Sequence, residues 1–327
     1  MKVILATAAP MSNVPIKPWP HRSPQSCSVH GFGHAIGADI WEGWNSSEEF
    51  ESAARDADIV VVNGNTPLLR VVVRLRDVLH GSGSRLVLFQ EGDSRPWDTL
   101  SPEDLSWWLQ AVAVADLCTV YDERYVRRVA RLAGGTPVRC VPFPHPQPAS
   151  VYRIPLCDRE DAVFVSSGPF SRRGGLAGLA LARAVAPTAQ IMIPERHYDA
   201  GATDEMTSTV TRAYGASLVP WDTYREYVPR LARCKLGISL DAGHTYGRFA
   251  ADCAAVGVPC VGFSTSPAQR HYWPALTDVD RDEEALTAFL ADPRAQQDAV
   301  ATADSAAIER TPEKVLDAFE AAVEAIP

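Results

Sequence analysis

Short apolar runs alternate with amphipathic stretches along most of the chain. The run Ile59–Val62 is β-branched without interruption and has no polar position on either face, the pattern of a strand buried on both sides of a sheet. Similar runs recur at Lys2–Thr7, Arg85–Phe89, 115–121, 138–144, 162–167, 189–194, 216–221, Leu236–Leu240 and Cys260–Phe263. Between them, helical spacing of apolar residues predicts helices at Glu48–Asp56, Leu68–Leu79, Pro102–Ala115, 122–135, 176–186, Thr203–Tyr214, Tyr224–Arg233 and Arg248–Val256. A terminal amphipathic helix follows over Glu313–Ile326. Strand and helix taken in turn argue for an α/β fold with parallel, doubly wound sheets.

The alternation breaks twice. Residues 142–161 are rich in proline and carry no apolar period, which makes them a linker between an N-terminal domain, 1–150, and a C-terminal domain, 151–327. After the first strand, some thirty residues rich in Pro, Ser, His and Gly read as a loop ending in VHGFGHAIGADIW. Gly31, Gly33 and Gly37 lie too far from that strand, and at the wrong spacing, for a dinucleotide fingerprint. The segment reads either as the flexible rim of an acceptor site, with His30 and His34 at its edge, or as a surface loop whose glycines permit tight turns.

The most informative stretch is KLGISLDAGHTYGRFAADCAAVGVPCVGF, Lys235–Phe263. It reads strand, Gly-containing loop, helix, strand, with Gly257 and Pro259 stopping the helix. At the carboxyl end of a parallel strand, such a helix start offers unpaired N–H groups and a positive dipole end, which suit phosphate.

The segment GHTYGRFAADCAAVGVPCVG resembles the donor site of the GT-B glycosyltransferases of the glycogen-synthase-like group. Tyr246 and Gly247 match that family's aromatic-Gly pair, Asp252 its second acidic residue, and Gly257, Val258 and Pro259 its helix stop. His244 stands where the family has its first Glu. The resemblance implies two Rossmann-like domains facing a cleft, with Asp252 bonding the ribose hydroxyls of a nucleotide and residue 244 near the donor sugar. It extends to SGPFSRRGG, where Gly168 follows a strand and Arg172 and Arg173 precede Gly174, the place of a Lys-Gly that meets the donor pyrophosphate. Arginine there would contact phosphate through two N–H groups, although two solvated surface arginines would look the same in sequence. Pro194, Glu195 and Trp221 fall beside the implied nucleobase position, and Trp221 is either a stacking or a packing residue. Arg248 opens the helix and is either a further phosphate contact or a solvated first-turn residue.

Composition narrows the rest. A chain of 327 residues suits two cores. A net charge of −9 argues against general nucleic-acid affinity. Seven scattered cysteines without a C-x-x-C pair indicate neither a disulfide framework nor a zinc site, and Cys253 and Cys260 read as buried small residues. The start, MKVILATAAP, is too short in its apolar run for a signal peptide, and no run approaches the ~20 apolar residues of a membrane span. The expected location is cytoplasmic.

The implied function is transfer of a sugar from a nucleotide-diphosphate sugar, as co-substrate, to an acceptor hydroxyl. Arg172, Arg173 and the helix start at Gly247 would take the leaving-group charge, so no metal and no cofactor is expected. Inversion at the sugar would need a base, for which Glu91 and Asp93 are candidates just beyond a strand; His244 and His30 become sugar-side contacts if configuration is retained. The acceptor stays open. Trp19, Trp41, Trp44, Trp97, Trp107 and Trp108 would suit a sugar, an aglycone or, less well, a hydroxymethylated base in DNA, and nucleic acid enters only as acceptor. A nucleotide-sugar epimerase of the same fold and a catalytically silent nucleotide-sugar-binding module are the alternatives.

Overall fold

A computed structural model describes residues 1–7, 25, 28–42, 48–64, 66–90, 101–146, 149–168, 174–194, 204–220, 223–242, 245–278 and 282–326. Two compact units emerge, one running from the first strand through Pro144 and taken up again from Arg310, the other spanning His145–Glu309.

The first unit holds β1 (Val3–Thr7), α1 (Val29–Ala35), β2 (Asp39–Glu42), α2 (Glu48–Arg55), β3 (Ile59–Asn63) and α3 (Thr66–Val78). It continues with β4 (Arg85–Gln90), α4 (Pro102–Val114), β5 (Leu117–Val120), α5 (Glu123–Leu132) and β6 (Val138–Cys140). All six strands are parallel, in the order β2-β1-β3-β4-β5-β6. Right-handed crossovers then place α2 to α5 on one face and α1 on the other. Every residue of β1 and β3 is buried, as continuous apolar runs require of strands covered on both faces.

Residues 28–42 are not the loop their glycines suggest. They form α1 and β2. Ser28 caps the helix, its Oγ accepting from the Gly31 N–H at 3.4 Å, and Gly37, at φ +65°, ends it. Gly31 and Gly33 are buried, and a Cβ on Gly33 would stand 3.0 Å from Ile40 Cδ1. The two glycines let the helix pack close, which offsets their helix-propensity cost of about 1 kcal/mol each.

The chain ends in α13 (Pro312–Glu324), which belongs to the first unit rather than to the half that precedes it in sequence. It packs beside α1, with Phe319 fully buried at 6.2 Å from the Phe32 ring, and Arg85 Nη1 donates to the Val323 carbonyl at 2.9 Å. A division into 1–150 and 151–327 misses this return, because a helix's partner is not written in its own periodicity.

The second unit holds β7 (Ala162–Val165), α6 (Gly175–Val185), β8 (Gln190–Pro194), α7 (Asp204–Ala213), β9 (Ala216–Val219) and α8 (Tyr224–Ala232). Then come β10 (Leu236–Ser239), α9 (Arg248–Val256), β11 (Cys260–Gly262), α10 (Pro267–Tyr272), α11 (Glu283–Ala291) and α12 (Pro293–Ala307). The last three helices are additional to the sequence reading. Its parallel sheet runs β11-β10-β7-β8-β9, with α6 and α7 on one face and α8 and α9 on the other. Linker arginines satisfy the carboxyl end of α9. Arg153 donates to the carbonyls of Ala254 and Ala255 at 3.1 and 3.2 Å, and Arg159 to that of Val256 at 3.4 Å.

Candidate functional site: a sheet crevice in the second unit

β7 and β10 are neighbours, yet the chain leaves β7 for α6 on one face and β10 for α9 on the other. This is a topological switch point, the place at the carboxyl edge of an open α/β sheet where ligands bind. The strand ends are tied by a Ser166–Ser239 hydroxyl hydrogen bond of 3.2 Å. Two helix starts, at Gly175 and Arg248, therefore converge on one edge, and their positive ends and unpaired N–H groups favour an anion there.

The glycines at those starts are fixed by contact. Gly174 has φ +72°, and a Cβ on it would lie 2.3 Å from the Leu240 carbonyl oxygen. A Cβ on Gly175 would lie 1.8 Å from the oxygen of Gly168, so the start of α6 sits directly against the end of the β7 segment. Gly247 precedes α9 at φ +87°, where a Cβ would come within 1.8 Å of Ser266 Oγ. That hydroxyl donates to the Tyr246 carbonyl at 3.1 Å, and the Ala268 N–H bonds the same oxygen at 2.9 Å. The Thr245 hydroxyl donates to Asp241 Oδ2 at 3.1 Å and that of Thr265 to the Asp241 carbonyl at 3.4 Å. The loop before α9 is thus braced by the loop after β11.

Of the expected donor-site residues, Gly168, Tyr246, Gly247, Arg248 and Asp252 lie on these two loops and on α9. Tyr246 is 3% exposed. Asp252 is fully buried, and its carboxyl meets the Tyr227 hydroxyl of α8 outside good hydrogen-bond geometry. Burial pushes its pKa up to about 8, against the opposing pull of the Arg248 guanidinium and the Tyr227 hydroxyl of α8. Pro194 ends β8, buried. Arg172, Arg173, Glu195, Trp221 and His244 lie outside the described residues, as do Glu91 and Asp93.

His30 and His34 belong to the first unit. His30 sits in the first turn of α1 with Nε2 on the Glu42 carboxylate, and His34 is exposed near the helix end. Trp108 is a core residue, its Nε1 donating to Gln90 Oε1 at 2.7 Å, and Trp107 lies under the Arg70 guanidinium at 5.2 Å. Trp19, Trp44 and Trp97 are outside the described residues. Cys253 and Cys260 are fully buried.

Ser266 and Asp241 are the bracing residues that pattern reading passed over. Ser266 had a legible signal, since Ser followed by Pro267 is an N-cap with proline at the first helical position. Among the described residues no group of three His, Cys, Asp or Glu side chains is placed to hold a metal ion, and no helix is long and apolar enough to cross a membrane.

No protein-family profile matches the sequence, and no curated protein matches it. Solved structures do. The α,α-trehalose-6-phosphate synthase of Burkholderia multivorans superposes with a TM-score of 0.67 at 10% identity, over 99% of this chain and 98% of that one. The sucrose-phosphate synthase of Thermosynechococcus elongatus gives 0.69 at 13% identity, over 99% and 98%. Anabaena HepE, solved in complex with UDP and glucose, gives 0.71 at 10% identity, over 99% of each chain. Matched over nearly its full length by these structures, and built from two parallel-sheet α/β units, the chain has the GT-B fold.

Proposed function

We propose that this protein is a glycosyltransferase that moves a sugar from a nucleotide-diphosphate sugar to an acceptor hydroxyl. The observation that carries the reading is the meeting of two glycine-started helices at the β7/β10 switch point, with Gly174 seated on the Leu240 carbonyl. Two helix starts at one sheet edge present N–H groups and positive dipole ends, which suit the phosphates of such a donor. Asp252, on the helix that starts at this edge, supports the reading as the acidic residue that the sequence resemblance assigns to the ribose.

In this reading Arg172 and Arg173, with the helix starts and Arg248, take the charge that develops on the departing diphosphate, a role arginine fills without a metal. Trp221 stacks on the base, and His244 contacts the donor sugar. The acceptor is a small molecule or glycan held by the first unit, on the side of His30 and His34. UDP leads the donor panel because HepE was solved with UDP and glucose, and a related fold, an α-glucosyltransferase, with UDP and DNA. A cytoplasmic setting fits the six described cysteines, all of them free.

Thermal unfolding with UDP, GDP, ADP, dTDP and their sugar conjugates tests the reading. A ligand at 100 times its Kd adds about 2.7 kcal/mol. One nucleotide should stabilise the wild type, and Arg173→Ala and Asp252→Ala should each abolish that shift. Stabilisation by none would remove the transferase reading. Binding without sugar release or transfer would leave a silent binding module, and sugar isomerisation without an acceptor would mark an epimerase.

A further inference from the structure

Helix α5 of the first unit, beside the edge strand β6, carries a charge pattern that neither the fold nor the donor site uses. Arg124, Arg127, Arg128 and Arg131 stand at i, i+3, i+4 and i+7, a spacing that lines them along one side of a helix over about 10 Å. All four are exposed, whereas Tyr125 and Val129, on the other side, are buried. Elsewhere in the unit exposed arginines are paired, Arg70 with Glu103, Arg74 with Glu51 at 2.7 Å and Arg76 with Asp116 at 2.6 Å. On α5, Arg124 meets Asp122 at 3.4 Å, but Arg127 and Arg131 have no carboxylate partner among the described residues. Glu123, the helix's own acid, accepts from the Cys140 thiol of β6 instead. Arg131 offsets the negative end of the helix dipole, a use that the earlier arginines do not share.

In a chain of net charge −9, such a row attracts an anionic surface that the chain as a whole repels, and so orients the encounter. Phosphate is the group that the guanidinium fork fits best, and both nucleic acid and anionic lipid display it. The apolar residues beside the row favour lipid. Leu132, at its end, and Leu109, on the adjacent helix α4, are 43% and 42% exposed, and Met1 is the one other large apolar residue exposed among the described residues of the first unit. The Thr136 hydroxyl, just past α5, donates to the Val112 carbonyl of α4 at 2.8 Å, which ties the segment after α5 to the end of α4. Leucine beside arginine matches a lipid headgroup layer, where the apolar chain enters the acyl boundary while the guanidinium holds phosphate. A nucleic-acid backbone offers the leucines nothing.

We propose that α5 docks the protein on a membrane surface rich in anionic phospholipid, with Arg124, Arg127, Arg128 and Arg131 on lipid phosphates and Leu132 in the headgroup layer. The contact is peripheral and electrostatic, and salt screens it. It is independent of the donor-site reading, since no residue of the row belongs to that site.

Flotation of the full-length protein with vesicles tests the proposal, using phosphatidylcholine alone and an equal mixture of phosphatidylcholine and phosphatidylserine. Binding should appear on the mixed vesicles alone and fall steeply as salt is raised. Arg127→Ala with Arg131→Ala should weaken it about 25-fold, on the order of five-fold for each arginine, and Leu132→Ser should weaken it further. These side chains are exposed, so the variants should unfold at the parent's temperature. Arg212→Ala with Arg294→Ala removes the same charge from exposed positions of the second unit and should change binding little. Equal binding to neutral vesicles, binding to neither, or an α5 variant that binds as the parent does each overturns the proposal. Binding to duplex DNA that exceeds binding to the mixed vesicles and ignores Leu132→Ser also overturns it, and assigns the row to nucleic acid.

Discussion

Gly174 lies so close to the carbonyl oxygen of Leu240 that a Cβ on it would stand 2.3 Å away, a distance at which the β7 and β10 loops cannot both keep their paths. Gly174→Ala therefore meets two penalties, a left-handed backbone at φ +72° costing about 1–2 kcal/mol and a backbone clash adding roughly 1–3 kcal/mol. Gly81 has nearly the same conformation, φ +81°, with open space around it. Gly81→Ala should lose only the backbone part. Thermal unfolding of both variants checks this, and similar losses would show that the loop contact carries no weight.

Gly247 makes the matching contact at the other loop, and here the neighbour is a removable hydroxyl. Gly247→Ala brings a methyl to 1.8 Å from Ser266 Oγ and should destabilise the fold strongly. Ser266→Ala alone should cost about 1–2 kcal/mol, since Oγ caps α10 by accepting from the Gln269 N–H. The double variant should be less destabilised than the sum by about 1 kcal/mol or more, because the second change removes the obstacle the first one meets. Additive losses in a double-mutant cycle would contradict the contact.

Much of this architecture was legible because the punctuation is local. α9 begins and ends at the residues its pattern predicts, since Gly247 and Gly257 bracket it and Pro259 prevents its continuation. The run Ile59–Val62 announced a doubly covered strand by composition alone. α1 was obscured by Gly31 and Gly33, which signal turns in sequence but serve packing in the fold. The depth of Asp252 was also hidden. The small residues around it, Ala251 and Cys253 among them, let the whole helix from Ala250 to Val256 sink into the unit, a depth that the position of one acidic residue in a pattern does not signal. The His30–Glu42 pair was half visible, as His30 alone, because its partner arrives from a strand that only the register places beside β1.

The return of α13 to the first unit has a thermodynamic signature. Phe319 is fully buried, with the Phe32 ring edge-on at 6.2 Å, and Phe32 itself stacks on Phe89 at 4.4 Å. Phe319→Ala should cost about 3–5 kcal/mol. The loss should fall on the first unit alone. Hydrogen exchange resolved by peptide should show faster exchange in β1, β3 and α1 with β7, β8 and β10 unchanged, and a loss spread equally over both units would place α13 elsewhere.

Asp252 should give stability an unusual slope with pH. Its carboxyl, ordinarily near 3.8, is pushed up to about 8 by burial, so the folded chain keeps a proton that the unfolded chain loses. Between about pH 4 and pH 8 the unfolded state binds fewer protons than the folded one, and unfolding free energy must fall as pH rises. Below that window both states are protonated, and above it both are ionised, so the contribution is flat on either side. Asp252→Asn keeps the shape and removes the titration. It should flatten this part of the profile and be more stable than the parent at pH 7, on the order of 3 kcal/mol. Thermal or urea unfolding of both proteins from pH 4 to pH 9 reads the difference directly. Parallel profiles would mean that Asp252 is ionised in the fold and has found a donor for its carboxylate.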